Sequence, residues 1–194
     1  FLTEIRRDEL YQAIKATLSG KMDFCPRSML KVEVRRQGRL TQSYLALNDA
    51  VLERGSQAHL ITLEIHCEKL LVGQVKADAL VVASPTGSTA YNLAAGGPIL
   101  HPDVRAIVVT PVCPHSLTSR PLIFPDDHQL LFRVPTRDPK KRAILIVDGV
   151  NCGEITFEDE VTVVRSHFDH YMIRKKSANY FNLLREKLQF GQRN

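Results

Sequence analysis

Hydrophobic side chains recur with a helical period near both ends of the chain. In residues 4–19 they are separated by charged residues and fall on one face of a helix. These apolar positions are Ile5, Leu10, Ile14 and Leu18. Gly20 then suits a helix end, because glycine readily adopts the left-handed backbone found there. Similar spacing returns in residues 180–188, so the pattern predicts a helix near each end.

Between these helices the pattern is that of short strands. Residues 24–37 and 41–54 alternate apolar and polar positions, and Glu68-Lys69 falls where two strands would turn into a hairpin. Residues 79–83 are continuously apolar, which is typical of a buried strand. Other strand-like runs lie at 105–113, 128–135, 142–150 and 159–175. The spacing predicts a mainly β fold with short helices, arranged as a β-sandwich.

The length and composition fit one β-rich domain with a helical segment at each end. The chain has 194 residues, of which 44% are hydrophobic, enough for a core. The expected division is 1–20, 21–178 and 179–194. No apolar run approaches the roughly 18 residues of a membrane span, and the charged N-terminus does not resemble a signal peptide. We expect a cytoplasmic protein without a membrane partner.

The cysteines and charges argue against two kinds of site. The four Cys residues are widely spaced and contain no C-x-x-C pair, so a zinc site is not expected. They are expected to be reduced and to act as small buried hydrophobic side chains. The net charge of +5 is scattered, unlike the basic stripe with aromatic residues of a nucleic-acid-binding protein. We therefore expect no nucleic-acid partner.

The stretch S-P-T-G-S-T-A-Y, residues 84–91, is dense in hydroxyl groups. It follows the apolar run 79–83, and residues 89–95 suit a short helix. Free N–H groups at a helix start attract anions, and Gly87 would let a ligand approach the backbone. It is not a Walker loop, since no Lys follows the glycine. Composition alone leaves two readings open: an ordinary capped helix start or a site for phosphate or another polar ligand.

Three longer stretches resemble the C-terminal domain of the NAD kinase family. They are L-N-D-A-V-L-E-R-G at 47–55, K-A-D-A-L-V-V-A-S-P-T-G-S-T-A-Y-N-L-A-A-G-G-P-I-L-H-P at 76–102 and T-P-V-C-P-H-S-L-T-S-R-P-L-I-F-P at 110–125. V-D-G-V at 147–150 is similar to a later Asp-Gly turn of the family. The motifs occur in family order, and the resemblance covers essentially the whole chain.

This resemblance implies transfer of a phosphoryl group to the 2′-hydroxyl of the adenosine ribose of NAD, which gives NADP. The implied donor is ATP, or polyphosphate as in some members, with Mg²⁺ or another divalent metal. The implied assembly is a homodimer or homotetramer.

The resemblance also implies a set of NAD-binding residues. Asn48 and Asp49 match the Asn-acidic pair that binds the ribose, and Asp78 is similar to the acidic residue near the nicotinamide. The hydroxyl-rich turn supplies Thr86, Ser88, Thr89, Ala90 and Tyr91. Phe1 and Thr3 match residues beside the adenine pocket.

Five further residues of the matched motifs carry weaker implications. Lys76 matches a family position at which a basic residue accompanies a preference for NAD over NADH as the acceptor. Asp148 resembles a residue near the subunit interface and the ligand. His115 and Arg120 resemble architectural residues, and His101 is expected to be structural.

Several of these residues also allow a purely structural role. Asn-Asp at 48–49 could be a simple turn, and Asp78 could form a surface salt bridge. Tyr91 could pack in the core, Asp148 could belong to an ordinary Asp-Gly turn, and Lys76 could be a solvated strand residue.

The Gly-Gly-Asp-Gly-Thr signature of the family is absent from this sequence. In the family this signature lies upstream, in an α/β N-terminal domain, and its Asp is the expected catalytic residue. The F-L-T-E-I at the start of this chain resembles the end of that domain. Since the chain begins at Phe1 without a Met, we expect a C-terminal fragment that lacks this domain. Phosphoryl transfer depends on positioning and charge neutralisation, so the chain alone is expected to be inactive.

Three alternatives remain at this point. The chain could be a non-catalytic NAD(P)-binding module, which would bind without turnover even with a complete N-terminus. It could be a relative of the lipid kinases, although the Asn-acidic pair and the T-G-S-T-A-Y turn argue against this. It could also be an oligomeric scaffold without a ligand.

Overall fold

Antiparallel strands make up about half of the described residues. The computed structural model describes residues 5–56, 58–138 and 141–189. The strands are β1 (Met22–Arg36), β2 (Arg39–Ala46), β3 (Asp49–Glu53), β4 (Ile61–Cys67), β5 (Leu70–Ala77), β6 (Ala79–Ala83), β7 (Ala106–Val112), β8 (Leu122–Pro125), β9 (Leu130–Arg133), β10 (Ala143–Val147), β11 (Val150–Ile155) and β12 (Asp159–Lys175). The helices are α1 (Leu10–Leu18), α2 (Tyr91–Ala94) and α3 (Tyr180–Leu188), with 3-10 turns at Arg7–Glu9 and Gly87–Thr89.

The described strands form two six-stranded sheets. The first has the order β2-β1-β12-β9-β4-β5 and the second has the order β11-β10-β3-β6-β7-β8. The pairings of β3 with β6 and of β6 with β7 are antiparallel and place β6 in the middle of the second sheet. The predicted mainly β, sandwich-like fold is confirmed.

Because side chains alternate between the two faces of a strand, every second side chain points into the core between the sheets. Leu30 and Val32 of β1 and Phe132 of β9 lie there almost without solvent contact, against Leu52 of β3 and Leu80 of β6. The second sheet also buries its other face. There Val51, Val81 and Val108 pack with Ala95 and Leu100 of the segment that follows β6. A strand that is buried on both faces has a continuously apolar sequence. This explains the apolar run at residues 79–83.

The chain divides into two compact units, residues 28–169 and residues 1–27 with 170–194. The larger unit holds most of the two sheets. Within the smaller unit, α1 has no buried residue, and Lys175 pairs with Glu9 at 3.0 Å. The side chain of Asn179 caps α3 by accepting a hydrogen bond from the Phe181 N–H at 2.9 Å. The division at 1–20, 21–178 and 179–194 stays a prediction.

Several local predictions are confirmed and others need correction. The hairpin turns at Glu68-Lys69, both in the left-handed region, and α3 has the predicted bounds. The N-terminal helix is shorter than the predicted 4–19. Residues 41–54 form two strands in different sheets, β2 and β3. The predictions above also missed β8 and β11.

The cysteines are less buried than expected. Cys113 is exposed, and the other three are half-buried; all four are free thiols. Cys113 lies in a connection after β7 and has a left-handed backbone, with φ of 47°, so it does not point into either core. In the described ranges, no helix has the length and apolar character that crossing a membrane would require.

Candidate functional site

The candidate site lies at one end of the second sheet. Asp49 at the start of β3 pairs with Ala83 at the end of β6, and Ala50 pairs with Val147 at the end of β10. Because these strands are antiparallel, the segment 47–48, the turn after β6 and the turn between β10 and β11 share this end. The topology thus joins motifs that lie up to a hundred residues apart in sequence.

Asp148 connects the β10–β11 turn to the segment before β3. Its carboxylate accepts hydrogen bonds from the backbone N–H groups of Leu47 at 2.7 Å, Asn48 at 2.8 Å and Asp49 at 3.0 Å. The Asp148 N–H donates to the Asp49 carbonyl oxygen at 3.0 Å. Asp148 and Gly149 both have a left-handed backbone, as a two-residue hairpin turn requires.

Ser84 holds the same segment from the other side. Its N–H donates to the carbonyl oxygen of Asn48 at 2.8 Å, and its hydroxyl donates to the carbonyl oxygen of Leu47 at 2.5 Å. The Gly87 N–H donates back to the Ser84 Oγ at 3.1 Å. The segment 47–49 is therefore fixed between two turns.

Gly87 is needed for packing of the chain against itself. A Cβ atom at this position would lie 2.0 Å from the carbonyl oxygen of Asn48, far inside van der Waals contact. The sequence suggested instead that Gly87 leaves room for a ligand. The close contact between the two motifs gives the glycine a different reason.

The helix after the turn is shorter than the predicted 89–95. Residues 87–89 make a 3-10 turn, and α2 is only four residues long. The N–H groups of Ser88 and Ala90 donate to the carbonyl oxygens of Ser84 and Gly87, both at 2.9 Å. These two N–H groups are therefore used within the turn.

The hydroxyl groups of the turn divide into two kinds. The fully buried Ser88 hydroxyl donates to the Pro85 carbonyl at 2.6 Å and accepts from the Leu100 N–H at 2.9 Å. The Thr89 hydroxyl donates to the Thr86 carbonyl at 3.2 Å. The Thr86 Oγ1, in contrast, is buried and has no hydrogen-bond partner among the described residues.

Asn92 anchors the segment over the sheet, and the sequence analysis missed it. Its fully buried side chain donates to the carbonyl oxygens of Ser88 at 3.0 Å and Pro98 at 3.1 Å, and accepts from the Thr110 hydroxyl at 2.7 Å. A Cβ on Gly97 would lie 2.1 Å from its Oδ1. A polar residue inside a stretch of small apolar ones was the available signal.

Asp49 is a buried acid at the centre of this end of the sheet. Only 6% of the residue is exposed. Burial raises the pKa of its carboxyl to about 6, and the nearby negative charge of Asp148 adds to the increase. Among the described residues, no hydrogen bond to the Asp49 carboxyl or to the Asn48 side-chain amide is present. Both side chains are therefore available to bind a ligand.

Tyr91 lies among several acidic groups. Burial raises the pKa of its hydroxyl, and the charges of Glu53, Cys113, Asp49 and Asp78 raise it further. Since 43% of the residue is exposed, the ring offers solvent a flat aromatic surface. Tyr91 does not pack in the core, which removes the purely structural reading of this residue.

Lys76 lies near the end of β5, and Asp78 lies on the connection from β5 to β6. Arg54 pairs with the Asp78 carboxylate at 2.6 Å, so the salt bridge considered for Asp78 does form. Lys76 is exposed in β5, beside a cavity of about 250 Å³ that His115 also lines. The His115 N–H donates to the Lys76 carbonyl at 2.8 Å.

The remaining predicted residues lie outside this cluster. Arg120 donates to the carbonyl oxygens of Leu117 and Ser119, both at 2.8 Å, and so shapes its own loop. The ring of His101 contacts Asp103. Phe1 and Thr3 lie outside the described residues. Ala90 and the residues on either side of it do lie in the turn beside β3.

The acidic residues do not form a metal site by themselves. Among the residues that the structure describes, no group of three or more His, Cys, Asp or Glu side chains could hold a metal ion. Mg²⁺ is often held by one or two carboxylates together with substrate phosphates.

Comparison with known sequences identifies the same motifs. Residues 47–175 match the model of a family described as the ATP-NAD kinase C-terminal domain. The NAD kinase of Bdellovibrio bacteriovorus is 56% identical over all 194 residues, which make up 63% of that protein. The NAD kinase of Solibacter usitatus is 41% identical over 193 residues, 67% of its length. The chain thus spans about two thirds of these relatives.

Solved structures agree with the fold. Yeast NADH kinase complexed with NADH superposes with a TM-score of 0.87 at 29% identity, over 96% of this chain and 55% of that one. The NAD kinase from Archaeoglobus fulgidus in complex with ATP gives a TM-score of 0.68 at 22% identity, over 91% of this chain and 66% of that one. The second likeness concerns the fold alone.

Proposed function

This chain belongs to the ATP-NAD kinase C-terminal domain family, and on that premise we propose that the protein carrying it is an NAD kinase. The reaction is transfer of a phosphoryl group from ATP or polyphosphate to the 2′-hydroxyl of the adenosine ribose of NAD. NADP is the product. The relatives named NAD kinase and the family match support this proposal.

The observation that carries the proposal is the convergence of three motifs at one end of the second sheet. Asp148 and Ser84 both bind the backbone of residues 47–49, and Tyr91 shares an electrostatic environment with Asp49. Asn48, Asp49, Tyr91 and Asp148 are among the residues that the resemblance assigned to the dinucleotide. A scaffold without a ligand gives no reason for a buried carboxyl, a free amide and an unpartnered hydroxyl to lie in these motifs.

The chemistry of these side chains suits the ribose, the phosphates and the flat rings of NAD. The Asn48 amide and the Asp49 carboxyl can bind ribose hydroxyls, and the Thr86 hydroxyl can donate to a phosphate oxygen. Tyr91 can stack on a flat ring. Holding the acceptor hydroxyl in line with the donor is the main contribution that a protein makes to phosphoryl transfer.

The same acidic surroundings favour NAD over NADH as the acceptor. Asp49, Glu53 and Asp78 all act on the Tyr91 hydroxyl, and carboxylates attract the positively charged oxidised nicotinamide ring. The basic residue at Lys76 supports the same preference through the family resemblance. The yeast relative binds NADH, so a direct comparison of the two acceptors tests this point.

The donor and the metal are proposed from the family. Its description names ATP, and polyphosphate is the alternative. Because the described residues form no metal cluster, a divalent ion would arrive with the donor and supply neutralisation of phosphate charge. Nothing in this proposal assigns a protein ligand to it.

We propose a cytoplasmic homodimer or homotetramer in which a Gly-Gly-Asp-Gly-Thr segment beyond this sequence supplies the catalytic Asp. On that basis this chain alone has no turnover. The complete protein as its gene encodes it should convert NAD and ATP to NADP, measured by enzymatic detection of NADP. Binding of NAD without turnover in that protein would favour the non-catalytic module instead.

The site residues are tested by calorimetric titration with NAD. Asn48→Ala and Tyr91→Ala should each weaken binding by about 1 kcal/mol or more, roughly fivefold, because each removes a contact from a partly buried site. Tyr11→Ala is the matched control, since Tyr11 is an exposed residue of α1. Equal affinity of Tyr91→Ala and the parent protein would remove Tyr91 from the site.

A further inference from the structure

Three consecutive backbone N–H groups, from residues 47–49, point at the two carboxylate oxygens of Asp148, at 2.7–3.0 Å. Successive N–H groups that converge in this way form a concavity suited to an anion. Hydrogen bonds to an ionised acceptor are shorter and stronger than neutral ones. Here a side chain from a hairpin a hundred residues away occupies the concavity.

The location of these N–H groups explains why they need such a partner. β2 ends at Ala46 in the first sheet, and β3 starts at Asp49 in the second. Residues 47 and 48 therefore cross between sheets, where no neighbouring strand pairs with their N–H groups. On the carbonyl side, Ser84 binds Leu47 and Asn48. Asp148 supplies the acceptor on the N–H side.

We propose that Asp148 is a positioning residue, which holds the backbone of Asn48 and Asp49 so that their side chains face the dinucleotide. This inference rests on the proposed function for the identity of the ligand. Both oxygens of Asp148 are already engaged by the protein's own N–H groups, so its effect on the ligand passes through its two neighbours. It differs in this respect from Asn48, whose side-chain amide is uncommitted among the described residues.

Electrostatics supports the same arrangement. Burial raises the pKa of Asp49 to about 6, and the charge of Asp148 contributes to the increase. Asp49 in turn acts on the hydroxyl of Tyr91 in α2, as do Glu53, Asp78 and Cys113. Arg54 is paired with Asp78. Removing the Asp148 charge should therefore let Asp49 ionise at lower pH.

The decisive comparison is Asp148→Asn against Glu68→Gln in the complete protein. Asn keeps the size of the side chain and tolerates the left-handed backbone, but it loses the charge and one acceptor oxygen. Glu68 is a matched control, because it is also a left-handed hairpin residue whose carboxylate accepts a backbone N–H, that of Gln129 at 2.6 Å. It lies in the first sheet, in the β4–β5 turn.

We expect Asp148→Asn to weaken NAD binding about tenfold, as misplaced site residues commonly do, and Glu68→Gln to leave it unchanged. The pH profile of NAD affinity should also shift to lower pH in Asp148→Asn only. Parent-like affinity and an unshifted profile in Asp148→Asn would overturn the proposal.

A ligand-free measurement separates this proposal from the proposed function. NMR titration of the Asp49 carboxyl carbon should show ionisation at lower pH in Asp148→Asn than in the parent. The backbone amide signals of residues 47–49 should also move in that variant. A weakened NAD affinity with no change in either signal would mean that Asp148 contacts the ligand directly, which overturns the positioning role. If the parent did not bind NAD, the proposed function would be contradicted, but the NMR measurement would still test the positioning role.

The parent protein provides a test even if Asp148→Asn does not fold. In the parent, the amide protons of Leu47, Asn48 and Asp49 should exchange with solvent more slowly than those of the exposed turn at Gln37-Gly38, because the Asp148 carboxylate accepts all three bonds. Equally fast exchange at residues 47–49 and 37–38 would contradict the arrangement.

Discussion

At the residue scale, two positions decide whether the end of the second sheet can form. Gly87 lets the turn after β6 touch the backbone of Asn48. Asp49 places a carboxyl where little water reaches it. The close packing at Gly87 and the burial of Asp49 are not explained by their immediate sequence neighbours. A substitution at either position should have a measurable effect.

Gly87→Ala should disrupt the contact between the two motifs. The added Cβ would lie 2.0 Å from a backbone oxygen, so the turn must move. We expect a loss of about 3 kcal/mol or more in the free energy of unfolding, with loss of NAD binding. Gly73→Ala is the control, because nothing lies within 4 Å of its added Cβ and its effect should stay below about 1 kcal/mol. Urea unfolding measures both, and similar losses in the two variants would contradict the contact.

Asp49→Asn should stabilise the protein at high pH. The folded pKa of about 6 lies above the ordinary value of 3.8, so folding takes up a proton between these values and stability falls as pH rises through the window. The variant should unfold like the parent near pH 4 and gain up to about 3 kcal/mol at pH 8. Asp127→Asn, at an exposed position, should show no such gain. A pH-independent difference for Asp49→Asn would contradict the burial of an ionisable group.

At the element scale, an ion pair to a buried carboxylate links two long strands of the first sheet. Arg36 at the end of β1 binds Asp159 at the start of β12 through two bonds of 2.8 and 2.9 Å. The same carboxylate accepts from the N–H and hydroxyl of Thr156, both at 2.9 Å. Asp159 thus joins two strands far apart in sequence and also fixes the turn that leads into β12.

Asp159→Asn should destabilise the protein at neutral pH. Burial raises the pKa of Asp159, but the hydrogen bonds from Arg36 and Thr156 outweigh it and leave the pKa below the usual value. Its stabilisation is therefore present above the unfolded pKa and disappears as pH falls through the folded one. We expect a loss of about 2 kcal/mol at pH 7, which shrinks towards pH 3.

The control for Asp159→Asn is a pair with little burial. Arg142 and Glu154 are both about half exposed at their side chains, and such surface pairs contribute less than about 1 kcal/mol. Chemical unfolding of Glu154→Gln beside Asp159→Asn gives the comparison. An equal effect of the two substitutions at pH 7 would contradict the special role of the buried acid.

At the scale of the whole molecule, burial is distributed unevenly. All five residues of β6 are buried, since the core between the sheets covers one face and the segment ending at Leu100 covers the other. None of the residues of α1 is buried. The second sheet can therefore present its candidate site on a rigid strand end, which favours precise placement of side chains.

Amide hydrogen exchange should report this contrast. Amides of β6 should exchange at least about a hundredfold more slowly than those of α1, because slow exchange requires opening of a buried, hydrogen-bonded core. Addition of NAD should protect residues 47–49 and 84–91 further. Equal protection of β6 and α1, or ligand protection elsewhere only, would contradict the proposed arrangement.

Most of the local elements, and the family, could be predicted from the sequence. Alternation and continuous apolar runs located most strands, the Glu68-Lys69 hairpin and α3, because each depends on the periodicity of neighbouring side chains. The motifs at 47–55, 76–102 and 110–125 predicted the family that the match over residues 47–175 confirms. The roles of Asn48, Asp49, Thr86 and Tyr91 towards NAD stay predictions.

How these motifs meet depends on contacts between segments that are distant in sequence. The break between β2 and β3 at Leu47–Asn48 is stabilised by Asp148, which lies a hundred residues further along the chain. No local sequence pattern could therefore predict this break. The reason for Gly87, the anchoring of Asn92 by Thr110 and the raised pKa of Asp49 likewise depend on distant neighbours. Periodicity records which face of a strand is apolar, whereas hydrogen bonds and desolvation between remote segments exist only once the sheets have assembled.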